Sequence, residues 1–386
     1  MDIRTVLKFR QLGIIMMGWL AFAACMSVYD YLVIHSMNVI GPSANYNFVS
    51  ALLANCFSAM LGCAIGGSFL VFIINERYND KPFVYTILVT TAVYAGVIVI
   101  IVTSMTIGVI MKNGGSLSET NESAGLVIRF LTDETRLKNI VTWYVVVAAT
   151  QMVLQLSKRF GEGNLGRILK GEYNVAREEK KIFMFLDLDN STGLAENLGD
   201  DRYHSMLRDF FADITDAIVN NKGRIYQYVG DEVVVQWDFH CDAPNDNCIK
   251  AFFDIKQKMS EQKEKYMRRY GIAPSFKAGI HYGRVIAGEV GTVKREMTYS
   301  GDVLNTTSRI TSMCSKLNTD LLVSGDLAAI LGTSRYSMYS YGAFPLRGKG
   351  KEVILQSFLP VVGHHPASEM RLAWLTSPNF LSELST

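Results

Sequence analysis

The sequence predicts a chain of two unlike parts: an α-helical transmembrane domain of about four spans, then a globular α/β domain of the α+β kind. Three observations predict it. The 386 residues are 49% hydrophobic and 19% charged, where an ordinary soluble domain carries about 25% charge. The deficit is local, because residues 1–155 hold 17 charged side chains and the other 231 residues hold 57. After residue 180, short apolar runs with strand character alternate with amphipathic helical stretches. Together these exclude a single soluble domain, a disordered chain and a fibrous repeat. The formal net charge of +2 gives no case for the clustered basic surface that nucleic acid requires, so no nucleic-acid partner is expected.

A membrane-crossing helix needs roughly 20 apolar residues. Four stretches qualify, at about 13–35, 48–74, 83–111 and 140–156. Gly13 to Tyr29, Phe48 to Ile74, Phe83 to Met111 and Ile140 to Leu156 contain no charge. Cationic residues sort the ends. Arg4, Lys8 and Arg10 precede the first span, Arg77 and Lys81 fill the second loop, and Lys158 and Arg159 follow the fourth span. The first loop, 36–47, has none. Both termini are therefore expected on the cytoplasmic side of a lipid bilayer. The third loop, with Lys112, Arg129, Arg136 and Lys138, is discordant but longer and balanced by acids. Gly62 and Gly66 give a small-xxx-small spacing that can bring helices close, as at a dimer face. Asp30 is either a sensing residue or a headgroup-level one.

Six cysteines do not make a disulfide framework. Cys25, Cys56 and Cys63 lie in apolar runs, and Cys241 and Cys248 beside His240 lack a second ligand pair at zinc-site spacing. Residues 158–180 read as a cytoplasmic linker, basic and punctuated by Gly161, Gly163, Gly166 and Gly171, with one amphipathic turn at Leu165, Ile168 and Leu169. The globular domain is placed at 181–360. Residues 361–386, with His364, His365 and two prolines, read as a loosely packed C-terminal extension.

Within the globular part, Ile182-Phe-Met-Phe-Leu-Asp187 is a strand apolar on both faces. It runs into Asp187-Leu-Asp-Asn-Ser-Thr192, able to cap a helix that continues to about Val219. Arg224–Val229 and Glu232–Trp237 are strands joined by Gly230-Asp231, a pairing suited to a type II′ hairpin. A helix at 247–270, a strand at 275–282, a helix at 305–316 and a strand at 321–324 complete the pattern.

Asp187 ends a buried strand and Asp231 sits at a hairpin tip. Two carboxylates so placed can hold two Mg²⁺ ions on a nucleoside triphosphate, because Mg²⁺ takes few protein ligands and relies on phosphate oxygens. Taken singly, the same residues would serve as a helix cap and a turn former. Asn305 and Arg309 are four apart on one helical face, an amide and a guanidinium that can meet phosphate charge as it develops. Arg347, Lys349 and Lys351 add three cations in five residues.

At this point the chain resembles the class III adenylate/guanylate cyclases. Phe185-Leu-Asp187-Leu-Asp-Asn-Ser-Thr192 resembles their first metal motif and Tyr228-Val-Gly-Asp231 their second. Gly279-Ile-His-Tyr-Gly-Arg-Val-Ile-Ala-Gly288, Asn305-x-x-x-Arg309 and Arg347-Gly-Lys349-Gly follow in order, so the resemblance covers about residues 178–360. It implies a ferredoxin-like palm core and formation of a 3′,5′-cyclic nucleotide and pyrophosphate. It also implies a head-to-tail homodimer whose sites take Asp187 and Asp231 from one subunit. Gln227, Thr298, Asn305, Arg309 and Arg347 would come from the other, with Mg²⁺, or Mn²⁺ in its place. Asn305 would orient the ribose, Arg309 would stabilise the transition state, and Arg347 would hold the terminal phosphates where Lys is usual. It further implies a membrane-anchored, bacterial-type enzyme of the inner membrane.

Substrate is where the chain departs from the pattern. Adenylate cyclases carry Lys and guanylate cyclases Glu where this chain has Gln227, whose amide can donate or accept. Thr298, found in one bacterial adenylate-cyclase subgroup, favours ATP over the alternative, GTP. Val229-Gly-Asp-Glu-Val233 has a superficial likeness to diguanylate cyclases but lacks their first Gly. The reading from another class is a membrane receptor with a catalytically silent cyclase-like domain.

Overall fold

The computed structural model describes residues 3–36, 47–74, 82, 84–97, 134–160, 166, 171–172, 175–239, 246–293, 295–331 and 335–360. The chain divides into two compact units, Met1–Leu165 and Gly166–Thr386.

In the first unit, α1 is Ile3–Ser36, α2 runs over Phe48–Ile74, α3 is Val84–Val97 and α4 is Glu134–Phe160. Three of the four are long and apolar enough to cross a membrane, and α3 is a shorter apolar helix among the described residues. The rest of the third expected span, 98–111, lies outside them, as do Leu165, Ile168 and Leu169 of the linker. Large apolar side chains point outward along the helices, among them Met17, Leu53, Phe57, Leu88 and Val145. Such a surface suits lipid, where the hydrophobic effect does not penalise it.

The unit is held from inside by aromatic and polar contacts. Trp19 Nε1 donates to Thr150 Oγ1 at 3.0 Å, and Asn55 Nδ2 donates to Ser27 Oγ at 2.8 Å. Lys138 Nζ lies 2.5 Å from Asp30 Oδ1, so Asp30 is an ion-pair partner that joins α1 to α4. The glycines of α2 do not leave a free face. A Cβ on Gly66 would sit 2.4 Å from the Tyr94 hydroxyl, and one on Gly62 would sit 3.7 Å from Trp19. Their close approach is therefore made within the chain. Two π-helical stretches, Cys63–Gly67 and Leu70–Ile74, interrupt α2 where this packing occurs.

The second unit is an α/β domain built on one mixed sheet. Its strands are β1 (Arg177–Leu188), β2 (Arg224–Val229), β3 (Glu232–Asp238), β4 (Phe276–Val290), β5 (Glu296–Ser300), β6 (Leu321–Ser324), β7 (Tyr336–Phe344) and β8 (Val353–Pro360). The order is β2-β3-β1-β4-β6-β8-β7, with β5 paired to β4. Only β4 and β6 run parallel. The helices are α5 (Ser191–Leu198), α6 (Asp200–Asn220), α7 (Asn247–Glu261), α8 (Lys263–Tyr270), α9 (Asp302–Lys316) and the single turn α10 (Gly325–Ala328).

The apolar run of β1 is buried on both faces, as its pattern predicts. Ile182, Met184 and Leu186 pack with Met206, Phe210 and Ile214 of α6 and with Phe252 of α7. Phe183 and Phe185 face the other way, into Val234, Tyr299 and Val303. Each fully buried Phe or Ile contributes about 1.5–3 kcal/mol, so this central strand anchors both layers. The strand is longer than its apolar run. Arg177–Lys181 also pair with Gly283–Ala287 of β4, and buried Lys181 is satisfied by Glu179 at 2.7 Å and by Asp238. The helix expected to reach Val219 is broken at Gly199, whose φ of 73° only glycine adopts readily. The helix expected over 247–270 breaks at Gln262. Strands β5, β7 and β8 carry no strong alternation in sequence, and pairing to their neighbours creates them.

Candidate active site

Asp187 stands at the end of β1, opposite Glu232 of β3 and Lys277 of β4. Residues alternate across a strand, so Asp187 shares the face of Phe183 and Phe185, the face on which α9 packs. It does not cap the next helix: the residue before α5 is Asn190, with no side-chain cap. Asp231 occupies the β2–β3 turn, where only Gly230, at φ 64°, has a positive φ. That is the signature of the expected type II′ turn, and it carries Asp231 to the end of β1.

The resulting cluster is rich in negative charge. Burial raises the Asp187 carboxyl, Lys277 opposes that rise, and neighbouring Asp231 adds to it. Glu232 is pushed up to about 7 by burial and by the charges of Asp187 and Asp231. Lys277 Nζ lies 3.2 Å from Asp187 Oδ2 and 3.7 Å from Asp189 Oδ1. Hard carboxylate oxygens that repel one another fit a divalent cation such as Mg²⁺ or Mn²⁺. Among the described residues no three acidic, His or Cys side chains form a metal cage.

Asn305 and Arg309 lie on α9, and the glycines of β4 decide where that helix sits. A Cβ on Gly279 would be 2.5 Å from the Thr311 backbone nitrogen, and one on Gly283 would be 2.5 Å from Val303 Cγ2. With both absent, α9 lies flat on β4, burying Thr306, Thr307 and Ile310 and turning Asn305 outward. The loop after β7 folds back against the same helix. A Cβ on Gly348 would be 3.3 Å from Arg309 Nη2, and Lys349 pairs with Asp302 at the start of α9. That pairing is the main cause holding the Asp302 carboxyl below its ordinary value. Arg347 is exposed at the tip of this loop.

Gln227 is exposed on β2 beside a bulge at Tyr226, and Thr298 is on β5, its hydroxyl 3.4 Å from the Gly288 carbonyl. Their chain neighbours touch: the Tyr226 and Tyr299 rings are 5.0 Å apart, and Tyr299 N–H donates to the Tyr226 hydroxyl at 3.2 Å. The structure thus forms two groupings, the acids around Lys277 and the α9–loop cations. Among the described residues, no hydrogen bond or ion pair joins Asp187 or Asp231 to Asn305, Arg309 or Arg347. Sequence reasoning missed Lys277 and Glu232, whose place depends on strand register. It also missed His281, whose ring nitrogen is 2.7 Å from Ser324 Oγ.

This fold and these motifs define a nucleotide cyclase catalytic domain. Residues 174–358 match the family model of the adenylate and guanylate cyclase catalytic domain, and this stretch is a class III member of that family. The chain is 32% identical over 206 residues to adenylate cyclase 2 of Rhizobium meliloti (strain 1021), covering 53% of this chain and 57% of that protein. It is 27% identical over 138 residues to the photoactivated adenylate cyclase subunit beta of Euglena longa, covering 35% of this chain and 16% of that protein. The chain thus spans little more than half of the first relative and a small part of the second. The structure of a bacterial light-regulated adenylyl cyclase aligns at 17% identity over 57% of this chain and 64% of that chain, with a TM-score of 0.49.

Proposed function

We propose that the protein is a membrane-anchored cyclase that converts ATP to 3′,5′-cyclic AMP and pyrophosphate for intracellular signalling, at sites shared between two copies of the chain. The observation that carries this reading is the Asp187–Asp231 pair, two crowded carboxylates at adjoining strand ends faced by one lysine. In the reaction the ribose 3′-oxygen forms a bond to the α-phosphorus and loses its proton to water. The bond from that phosphorus to the β-phosphate bridging oxygen breaks, and pyrophosphate leaves. Asp187 and Asp231 would hold Mg²⁺ or Mn²⁺, which when bound would supply charge neutralisation at the attacking and leaving oxygens. Asn305 orients the ribose. Arg309 donates to the α-phosphate oxygens as their charge grows. Arg347 holds the terminal phosphates, and Gln227 with Thr298 reads the base.

In this reading the site is composite, one copy of the chain supplying the acid grouping and the other the α9 cations, as the resemblance to the cyclase family implies. The Rhizobium and Euglena relatives, named as adenylate cyclases, support ATP. GTP is the alternative, because the Gln227 amide can accept from guanine as well as donate to adenine. The cation distribution along the chain supports a cytoplasmic catalytic domain, and the inner membrane of a bacterium is the location that the resemblance implies. The Asp30–Lys138 pair agrees, since it joins the end of α1 to the start of α4.

The test is a product assay of the detergent-solubilised full chain with ATP and GTP in parallel, with Mg²⁺ and with Mn²⁺. Cyclic AMP is expected. Predominantly cyclic GMP overturns the substrate, and undiminished product from Asp231→Ala overturns the role of the acid pair.

A further inference from the structure

Strand β2 does not alternate regularly. Ile225 pairs with Val235 of β3 and Gln227 pairs with Val234, so Tyr226 is an extra residue in the ladder, a β-bulge. Residues directly opposite in an antiparallel pair point to the same side of the sheet. Val235 packs with Met206 of α6 and Phe252 of α7, whereas Val234 packs on the other side with Phe183, Phe185 and Tyr299. Ile225 packs on the helix side with Val235, and Tyr226 packs on the opposite side with Val234. Gln227, opposite Val234, faces that second side as well. Tyr228, opposite Val233, turns back, its ring 4.6 Å from that of Phe211 on α6. The bulge thus sets two consecutive side chains, Tyr226 and Gln227, on one face. In an unbulged strand residues 225 and 227 share a face, and Gln227 would point toward α6 instead.

The same Tyr226 reaches β5. Its hydroxyl accepts from Tyr299 N–H at 3.2 Å, and the two rings meet edge-on with centroids 5.0 Å apart. Among the described residues β5 pairs with β4 alone, so its outer row of backbone groups faces no strand, and Tyr226 bonds to β5 where a ladder is missing. The contact lies between the two residues assigned to the base: Gln227 follows Tyr226, and Thr298 precedes Tyr299. We infer that Tyr226 is a positioning residue that sets base selectivity. The bulge turns Gln227 to the face on which β5 lies, and the Tyr226–Tyr299 contact fixes Gln227 and Thr298 relative to each other within one copy of the chain. This rests on the reading that Gln227 and Thr298 read the base. A Gln amide offers a donor and an acceptor side by side, so its preference between bases depends on where it is held. Tyr226 acts through that placement, not on the nucleotide.

Tyr226→Phe tests this, because it keeps the ring packing and removes only the bond from Tyr299 N–H. In the detergent-solubilised full chain it is expected to raise KM for the preferred nucleotide about fivefold while kcat changes by less than about twofold, the scale of one hydrogen bond. Selectivity between ATP and GTP, read as the ratio of their kcat/KM values, is expected to shrink about fivefold. A merely structural loss lowers the active fraction, so kcat falls equally with both nucleotides while KM and the ratio stay fixed. That result overturns the proposal. In a Gln227→Ala background the substitution is expected to leave the ratio unchanged, because the group it positions is gone. A full shift in that background assigns Tyr226 an effect independent of Gln227 and also overturns it. A Gln227→Ala variant that keeps the original ratio overturns the base-reading role of Gln227 and this inference with it. If the unaltered chain forms no cyclic nucleotide, the catalytic reading fails by itself, and the same four proteins are compared by equilibrium binding of ATP and of GTP. Coupled effects on binding then support the positioning role; additive or absent effects overturn it.

Discussion

Lys277 Nζ lies 3.2 Å from Asp187 Oδ2, across a strand pair whose partners are 90 positions apart in the chain. It is a cation inside the acid cluster, placed by the register of β1 on β4. Removing it leaves part-buried carboxylates without a donor, which costs about 1–3 kcal/mol. Lys277→Met is therefore expected to lower the melting temperature in divalent-free buffer. Mn²⁺ should bind the variant more tightly, because no side chain competes for Asp187. A titration of the nucleotide-free protein reads both effects, and unchanged Mn²⁺ affinity would show that Lys277 does not occupy the cation's place.

Gly279 lets α9 lie on β4. With a methyl 2.5 Å from the Thr311 backbone nitrogen, Gly279→Ala must lift the helix, at a cost of about 1–3 kcal/mol. It should also displace Asn305 and Arg309. The measurement is turnover beside thermal stability, and turnover should fall by more than the loss of folded protein explains.

Burial and the nearby Lys349 ammonium push the His281 imidazole down to about 4, against the weaker pull of Asp326 and Asp302. The ordinary value for an unfolded chain is about 6.5. The sign follows: above that value both states are neutral and stability is full. As pH falls from about 6.5 toward 4, the unfolded chain takes up a proton that the folded one does not, so stability declines, by up to about 3 kcal/mol. Asp302, held low by Lys349, acts in the same direction at lower pH. Melting temperatures near pH 7.5 and about pH 5 should differ less in His281→Gln, which keeps a hydrogen-bonding group for Ser324.

Gln227 is exposed on β2 and can present its amide either way. Gln227→Lys is expected to raise the ratio of cyclic AMP to cyclic GMP, and Gln227→Glu to lower it. Each change is put at about tenfold, the effect of one hydrogen bond gained or left unmade. Equal ratios in both variants would remove Gln227 from base recognition.

The features legible in the sequence are those set by neighbours along the chain. Uncharged length marks the spans, the run Ile182–Leu186 marks a strand buried on both sides, Gly230-Asp231 marks the turn, and the four-residue interval sets Asn305 and Arg309 on one helix face. Period and turn chemistry are local properties, so they survive without knowledge of the fold. Tertiary structure alone decided what meets across long intervals. It set Lys277 opposite Asp187, Tyr94 on Gly66, Lys138 on Asp30, and the 347–349 loop against Arg309. Those meetings depend on strand register and on which faces exclude water together. No interval in the sequence encodes them, because burial is decided by all the elements at once.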